Sequence, residues 1–418
     1  MEQSNTEQYT EKQANYILFA MMLVVLFSSA GIALPYPVMA PLFLEQGSPF
    51  TNFANLPAKI LLGIILAAYP IGLLIGSSIV GAASDQYGRK KVLLISLTIN
   101  VFGYLLSALA IVYQNYPAFV LTRFLNGLCG GNISIAKAIA SDLSPVLEKT
   151  KTFTRINATS YAGWLLGPLA GGLLQPLGTE IVFYVATLAL TTSLLAVATL
   201  LPNAVSSNQS ANVHWSALLK QQNSFALIKS PDIRTIFFIY FLATLGLNAF
   251  YEFYPVWLVE NYQYSAPDIG IMTAVLTAFM ILSSLVLVGK VKRSIGLVNG
   301  SLLGLTCLAT ILLSHPWLND QVLSPVYAVT GAVIALFSGL LPVYISDRFN
   351  KVNQGQLMGL LTTCFSLANI FMAIIGSIIA LAGATWSIVF GGVLVSCAAL
   401  WFYLYSRVPQ TNATTASR

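Results

Sequence analysis

Long apolar stretches alternate with short polar turns along almost the whole chain. A helix needs roughly 20 apolar residues to cross a hydrocarbon core of about 30 Å. Twelve stretches meet that need: 15–44, 56–84, 91–113, 117–142, 149–175, 179–201, 232–260, 266–291, 295–315, 321–346, 352–382 and 385–406. Lipid offers no partner for a backbone N–H or C=O, so each stretch is expected to be a helix and the protein all-α. Most connections are too short for a soluble domain. The long one, 202–231, is polar at Asn203, Ser206, Ser207, Asn208 and Gln209. It then turns faintly amphipathic at Trp215, Leu218, Leu219, Phe225 and Ile228, which predicts a segment lying along the membrane face. The expected organisation is an N-terminal six-helix bundle over 1–201, a cytoplasmic linker over 202–231 and a C-terminal six-helix bundle over 232–418.

Composition sharpens this picture. Hydrophobic residues make up 56% of the 418 and charged residues only 8%, whereas a soluble domain carries roughly a quarter charged. Glu2, Glu7 and Glu11 with only Lys12 are not the basic start of a cleavable signal, so the first span is expected to be retained. With the N-terminus placed inside, 17 of the 20 Lys and Arg fall in inner loops and tails, which predicts both termini in the cytoplasm. Lys59 lies near an outer boundary; Arg123 and Lys137 lie within a span. The net charge of +6 is then matched to the anionic inner leaflet and not to nucleic acid. Cys129, Cys307, Cys364 and Cys397 fall inside spans without metal-ligand spacing, and His214 and His315 form no cluster, so no metal or cofactor is expected.

The halves echo each other. Gly81, Asp85 and Gly88 follow span two; Gly289, Arg293 and Gly296 follow span eight at the same glycine spacing. Asp142 and Asp347 close spans four and ten, and Gly171 and Gly376 share that second offset. Repeated bundles with a site at their interface are the usual build of secondary transporters. The loop at 81–91 carries Gly81, Asp85 and Gly88, then Arg89, Lys90 and Lys91. Glycine lets two helix ends approach and bend there. An acid and a base at such a junction can pair differently as helices move, and Asp142 is the expected partner of Arg89.

This string resembles the loop signature of the major facilitator superfamily: Gly, three residues, Asp, two residues, Gly, one residue, then basic residues. Gln86 stands where that family usually has a base. The resemblance extends over the whole chain and implies a twelve-helix major facilitator fold of two pseudo-symmetric bundles. It also implies that the loop and the acid closing span four stabilise an outward-facing state.

Two more motifs point the same way. In span five, Gly163, Gly167 and Gly171 line one helix face at four-residue spacing and allow close packing, while Pro168 removes an amide donor and favours a kink. Together with Gly172 the pattern is similar to the superfamily's antiporter signature, which is associated with export. In span four, Arg123 and Gly127 resemble the family's Arg-x-x-x-Gly motif, linked there to proton coupling. A cation at that depth is costly and should face the bundle interior.

Of 14 Asp and Glu, 13 fall in tails, loops or span ends. The exception is Glu252, near mid-depth of span seven among Asn248, Tyr251 and Tyr254. A carboxyl there must face a cavity or a partner, and could load and release a proton. Some related multidrug carriers place an acid in span one; this chain has none there, so coupling is expected to rest on span seven. Lys137 lies 14 residues from Arg123, within about 40° on one face of an uninterrupted helix, so it either lines the cavity or snorkels to the cytoplasm. Mid-span aromatics (Tyr36, Tyr161, Trp164, Tyr240, Phe241, Tyr251, Tyr254, Trp257, Tyr327, Tyr344) offer walls for an amphiphile pocket.

No Walker loop is present, so ATP is not expected to drive the chain directly, and no enzyme constellation appears. The expected protein is a monomeric, proton-driven exporter of a small amphiphilic molecule. It resembles the drug:proton antiporter branch, which includes tetracycline-efflux-like carriers, in a bacterial inner membrane. The candidate roles are proton coupling at Glu252 and Arg123, substrate contacts at Tyr36, Lys137, Trp164, Asn248, Tyr251 and Glu252, a conformational latch at Gly81, Asp85, Gly88, Arg89 and Asp142, and a packing hinge at Gly163, Gly167, Pro168 and Gly171. A proton symporter importing a metabolite or siderophore remains the alternative. A ligand-binding receptor that does not transport is a third reading, but it leaves the two-half symmetry without a purpose.

Overall fold

The computed structural model describes residues 9–44, 49–143, 146–202 and 224–407. The polar part of the central linker, with Asn203, Trp215 and Leu219, lies outside the described residues. Among the described residues there are helices and no strand. In chain order the α-helices are α1 (Glu11–Ala33), α2 (Tyr36–Leu44), α3 (Ala58–Tyr87), α4 (Arg89–Val112), α5 (Tyr116–Leu128), α6 (Asn132–Asp142) and α7 (Lys149–Leu174). They continue with α8 (Thr179–Leu200), α9 (Pro231–Tyr262), α10 (Ala266–Ser314), α11 (Asp320–Arg348), α12 (Gln354–Ile379) and α13 (Ala384–Arg407).

Nine of these segments, α1 and α2 counted together, are long and apolar enough to cross a membrane. Three expected spans do not stand apart. Spans eight and nine lie within the one segment α10, but Gly296 (φ 79°, ψ 179°) is not helical and divides its 49 residues into two helices. At 1.5 Å per residue, α10 is far longer than one crossing. Span four is split into α5 and α6 around Cys129, Gly130 and Gly131. Span five, α7, forms a single helix through Pro168 but is diluted by glycine, Thr and Lys. The repeat between the halves is visible in the backbone. Gly88 and Gly296 both take positive φ, 93° and 79°, at equivalent turns, a conformation that needs glycine.

Helices before residue 202 pack mainly on one another: α1 on α7 and α8, α4 on α8, and α3 on α5. Helices after 230 do the same, with α9 on α12 and α13, and α10 on α11 and α13. The two sets meet along α3–α12 and α7–α10. Glycine makes both crossings close. A Cβ on Gly63 would fall 2.5 Å from the Ala373 carbonyl oxygen, and one on Gly172 would fall 2.4 Å from that of Ala266. At the opposite end of the spans, a Cβ on Gly81 or Gly289 would meet nothing within 4 Å. The halves therefore touch at the end that carries Lys59 and Glu260, and a crevice opens toward the end that carries Arg89.

The span-five glycines serve a different contact. Cβ atoms on Gly163, Gly167 and Gly171 would fall 2.6, 2.7 and 2.0 Å from the carbonyl oxygens of Leu26, Ala30 and Leu34. The four-residue spacing on α7 thus runs against the matching spacing on the α1 side, within one half of the molecule. Gly172, one residue on, faces across the halves.

Candidate functional site

Two adjoining cavities lie in the crevice. The larger, about 270 Å³, is walled by Tyr36, Tyr161, Trp164 and Pro168 from the first half and by Asn248, Tyr251, Tyr254 and Thr273 from the second. The smaller, about 150 Å³, holds Arg123 among Ile65, Leu66, Tyr69 and Pro70. Tyr36, Trp164, Phe365 and Asn369 line both, so the two are lobes of one space. Tyr161 and Trp164 remain 42% and 39% exposed, which puts the mouth toward the N-terminal end of α7.

Glu252 stands behind the wall of the larger lobe, only 3% exposed. Asn369 Nδ2 donates to Glu252 Oε1 at 2.6 Å and to Asn248 Oδ1 at 3.0 Å. Asn248 in turn donates to the Thr244 carbonyl oxygen, one turn back on α9, at 2.8 Å. This arrangement tolerates both protonation states. Oε1 accepts in either, and Oε2, which has no hydrogen-bond partner among the described residues, is the oxygen that can carry a proton. Asn369 was invisible to the sequence reading. It is an uncharged side chain 117 residues away from its partner, and only the packing of α9 on α12 joins them.

Arg123 is held on the opposite side of the space. Its guanidinium carbon sits 5.2 Å from the centre of the Tyr69 ring, and the Tyr104 hydroxyl is within its hydrogen-bonding reach. Its charge acts on Glu252 and on Tyr36. No described carboxylate pairs with it directly. Gly127 fixes the place of Arg123, because α5 lies backbone to backbone on α3. A Cβ on Gly127 would fall 2.1 Å from the Tyr69 carbonyl oxygen, and one on Gly72 would fall 2.2 Å from that of Phe124. Backbone cannot yield as a side chain can. Gly127→Ala is therefore expected to cost about 1–3 kcal/mol and to lower the melting temperature in detergent, measurable by thermal shift.

The other candidates distribute as follows. Tyr36, Trp164, Asn248 and Tyr251 line the larger lobe. Lys137 lies on α6 and lines neither lobe; the break at 129–131 removes the continuous helix that would have set it on the face of Arg123. Trp257 and Tyr327 belong to a closed aromatic core with Phe250, Tyr254 and His315. Arg89 and Asp142 form the expected ion pair between α4 and the end of α6. The pair is made within one half and while the Lys59 end is closed, so it does not by itself mark an outward-facing state. The Asp85 side chain lies outside the described residues; Gly81 and Gly88 lie at the open end.

The family model described as Major Facilitator Superfamily matches residues 21–329 and 236–418. The chain belongs to the major facilitator superfamily. Among its curated relatives, the class H tetracycline resistance protein of Pasteurella multocida is 25% identical over 384 residues, covering 85% of this chain and 86% of the relative. Multidrug resistance protein 2 of Bacillus subtilis (strain 168) is 24% identical over 375 residues, 88% of this chain and 89% of the relative. Both relatives carry drug-resistance names. Among solved structures, the nucleoside transporter NupG superposes with a TM-score of 0.76 at 13% identity, covering 94% of this chain and 99% of that one. A D-xylose-proton symporter gives 0.71 at 17% identity, covering 94% and 97%. At that identity the two structures share the fold alone. This major facilitator protein is thus a multi-pass membrane transporter for a small molecule.

Proposed function

We propose that this protein exports a small amphiphilic molecule in exchange for protons, by alternating access between two six-helix bundles, 1–201 and 232–418, joined by 202–231. The observation that carries the reading is the enclosed Glu252, held by Asn369 at the wall of an aromatic space that also contains Arg123. With Glu252 protonated, the site holds the charge of Arg123 alone. Once the proton leaves, the two charges oppose each other, and the field that a bound molecule meets changes by one unit. Two loads that alter one local field are coupled without touching each other. Tyr36, Trp164, Asn248 and Tyr251 supply stacking and hydrogen-bonding surface for the substrate. Lys137 contributes from the cytoplasmic end, Asp85 acts with Arg89 and Asp142 as the inner latch, and both termini lie in the cytoplasm. The relatives with tetracycline- and multidrug-resistance names support the outward direction.

The test begins with a ligand. Drugs, siderophores and small metabolites are screened by thermal shift, because a molecule that binds the folded state raises its apparent stability. A hit is then offered to inside-out vesicles with an acidic lumen. Export by exchange predicts that the hit accumulates in the lumen as protons leave, and that a protonophore abolishes the accumulation. Accumulation only in right-side-out vesicles with acid outside would establish import by symport instead.

A further inference from the structure

The closed end of the crevice carries an ion pair that the sequence did not announce. Lys59, in the first turn of α3, reaches across the halves to Glu260, near the end of α9. Both side chains are three-quarters or more shielded, at 19% and 24% exposure. Neither is committed to its partner alone. Lys59 Nζ also donates to the Ala380 carbonyl oxygen at 2.6 Å, and Glu260 Oε2 accepts from the Ala384 amide at 2.9 Å. The turn 380–384 between α12 and α13 is therefore gripped twice, by a cation from the first half at one end and by an acid from the second half at the other. The grip of Glu260 lies within its own half, so the acid and the turn form a preset socket. Lys59 is the part that must leave if the halves separate here.

Two further features tie this knot to the rest of the molecule. Directly inside it, Gly63 of α3 lies against Ala373 and Ser377 of α12, so withdrawal of Lys59 and separation of that crossing are one motion. The same two helices of the second half reach inward to the coupling site: α9 carries both Glu252 and Glu260, and α12 carries Asn369 and ends at Ile379, next to Ala380.

We propose that Lys59 and Glu260 form the outer latch of the transporter, an inter-half ion pair that holds the inward-open form and must break before the crevice opens outward. The proposal rests on the alternating-access reading but not on the substrate or on the proton. Its two charges work in a shielded place, where a pair acts more strongly than at a free surface. Among the described residues neither charge has a second ion-pair partner.

The experiment places a reporter cysteine at Leu66, on the wall of the smaller lobe and about 10 Å inside Lys59 along α3. The four native cysteines are first replaced by alanine. A membrane-impermeant thiol reagent is added outside intact cells, and in parallel to inside-out vesicles. Lys59→Gln and Glu260→Gln are the variants; the latter keeps an oxygen for the Ala384 amide. Each should speed outside labelling about fivefold, equivalent to ~1 kcal/mol, and slow labelling from the inner side. The reciprocal fall on the inner side separates a population shift from misfolding, which would raise both rates. The double variant Lys59→Glu with Glu260→Lys should bring outside labelling back toward the parent rate. Rates unchanged in both single variants, while added ligand still alters labelling of the parent, would overturn the latch and leave alternating access standing. A reporter that responds to neither ligand nor variant would remove both.

Discussion

Glu252→Gln abolishes uphill transport and leaves substrate binding and exchange in place: this is the expected result with the largest effect on function. The substitution is nearly isosteric. A glutamine Oε1 accepts from Asn369 Nδ2 as the carboxyl does, so the chain from Asn369 to Asn248 to the Thr244 carbonyl oxygen persists. Only the proton is lost, because an amide does not titrate. A carrier that cannot exchange a proton can still rock and still equilibrate substrate, but it cannot draw on a pH gradient. Counterflow of labelled against unlabelled ligand should therefore stay near the parent rate, while accumulation under an imposed gradient falls to the level of empty vesicles. Full accumulation by this variant would take Glu252 out of the mechanism. Asn369→Leu is the complementary change. It removes the donor and leaves a buried carboxyl with no partner, so it should lower stability as well as coupling, by about 1–3 kcal/mol in stability.

How much of this was legible in the sequence follows from the range of each interaction. The spans were legible because lipid imposes a one-dimensional rule on consecutive residues. Glu252 was legible because an intramembrane acid is rare, and Gly163, Gly167 and Gly171 because a helix face repeats every four residues. Arg89 and Asp142 could be paired because a loop signature anticipated them. Asn369 and the Lys59–Glu260 pair were not legible: each joins helices far apart in the chain, and nothing in an asparagine or a boundary lysine states its partner. Lys137 shows the converse. An uninterrupted helix would set it on the face of Arg123, but Gly130 and Gly131 break that helix between them, and Lys137 lines neither lobe. Spans eight and nine show the opposite case, since the non-helical Gly296 divides α10 where the sequence divides the two spans.

Gly171 and Gly172 are neighbours in sequence with opposite tasks, and substituting each should separate stability from sidedness. Gly171 meets the Leu34 carbonyl oxygen within the first half, where an added Cβ would fall 2.0 Å away. That contact is present in every state of a rigid bundle, so Gly171→Ala should lower the melting temperature without changing which side of the membrane the crevice faces. Gly172 meets Ala266 and Gly270 across the halves, where an added Cβ would fall 2.4 Å from the Ala266 carbonyl oxygen and 3.0 Å from Gly270 Cα. The opposing atoms are backbone and cannot rotate aside; only the halves can part. Gly172→Val is therefore expected to penalise the form closed at this end and to spare the form open there. An overpacking cost of about 1–3 kcal/mol corresponds to a shift of about 5- to 150-fold toward the outward-open state. Outside labelling of Leu66→Cys should rise by that order, transport should fall because the carrier no longer returns to accept substrate, and the melting temperature should stay closer to the parent than that of Gly171→Ala. If Gly172→Val labels from outside at the parent rate, the α7–α10 crossing does not close the crevice, and the contact seen there is packing without a role in access.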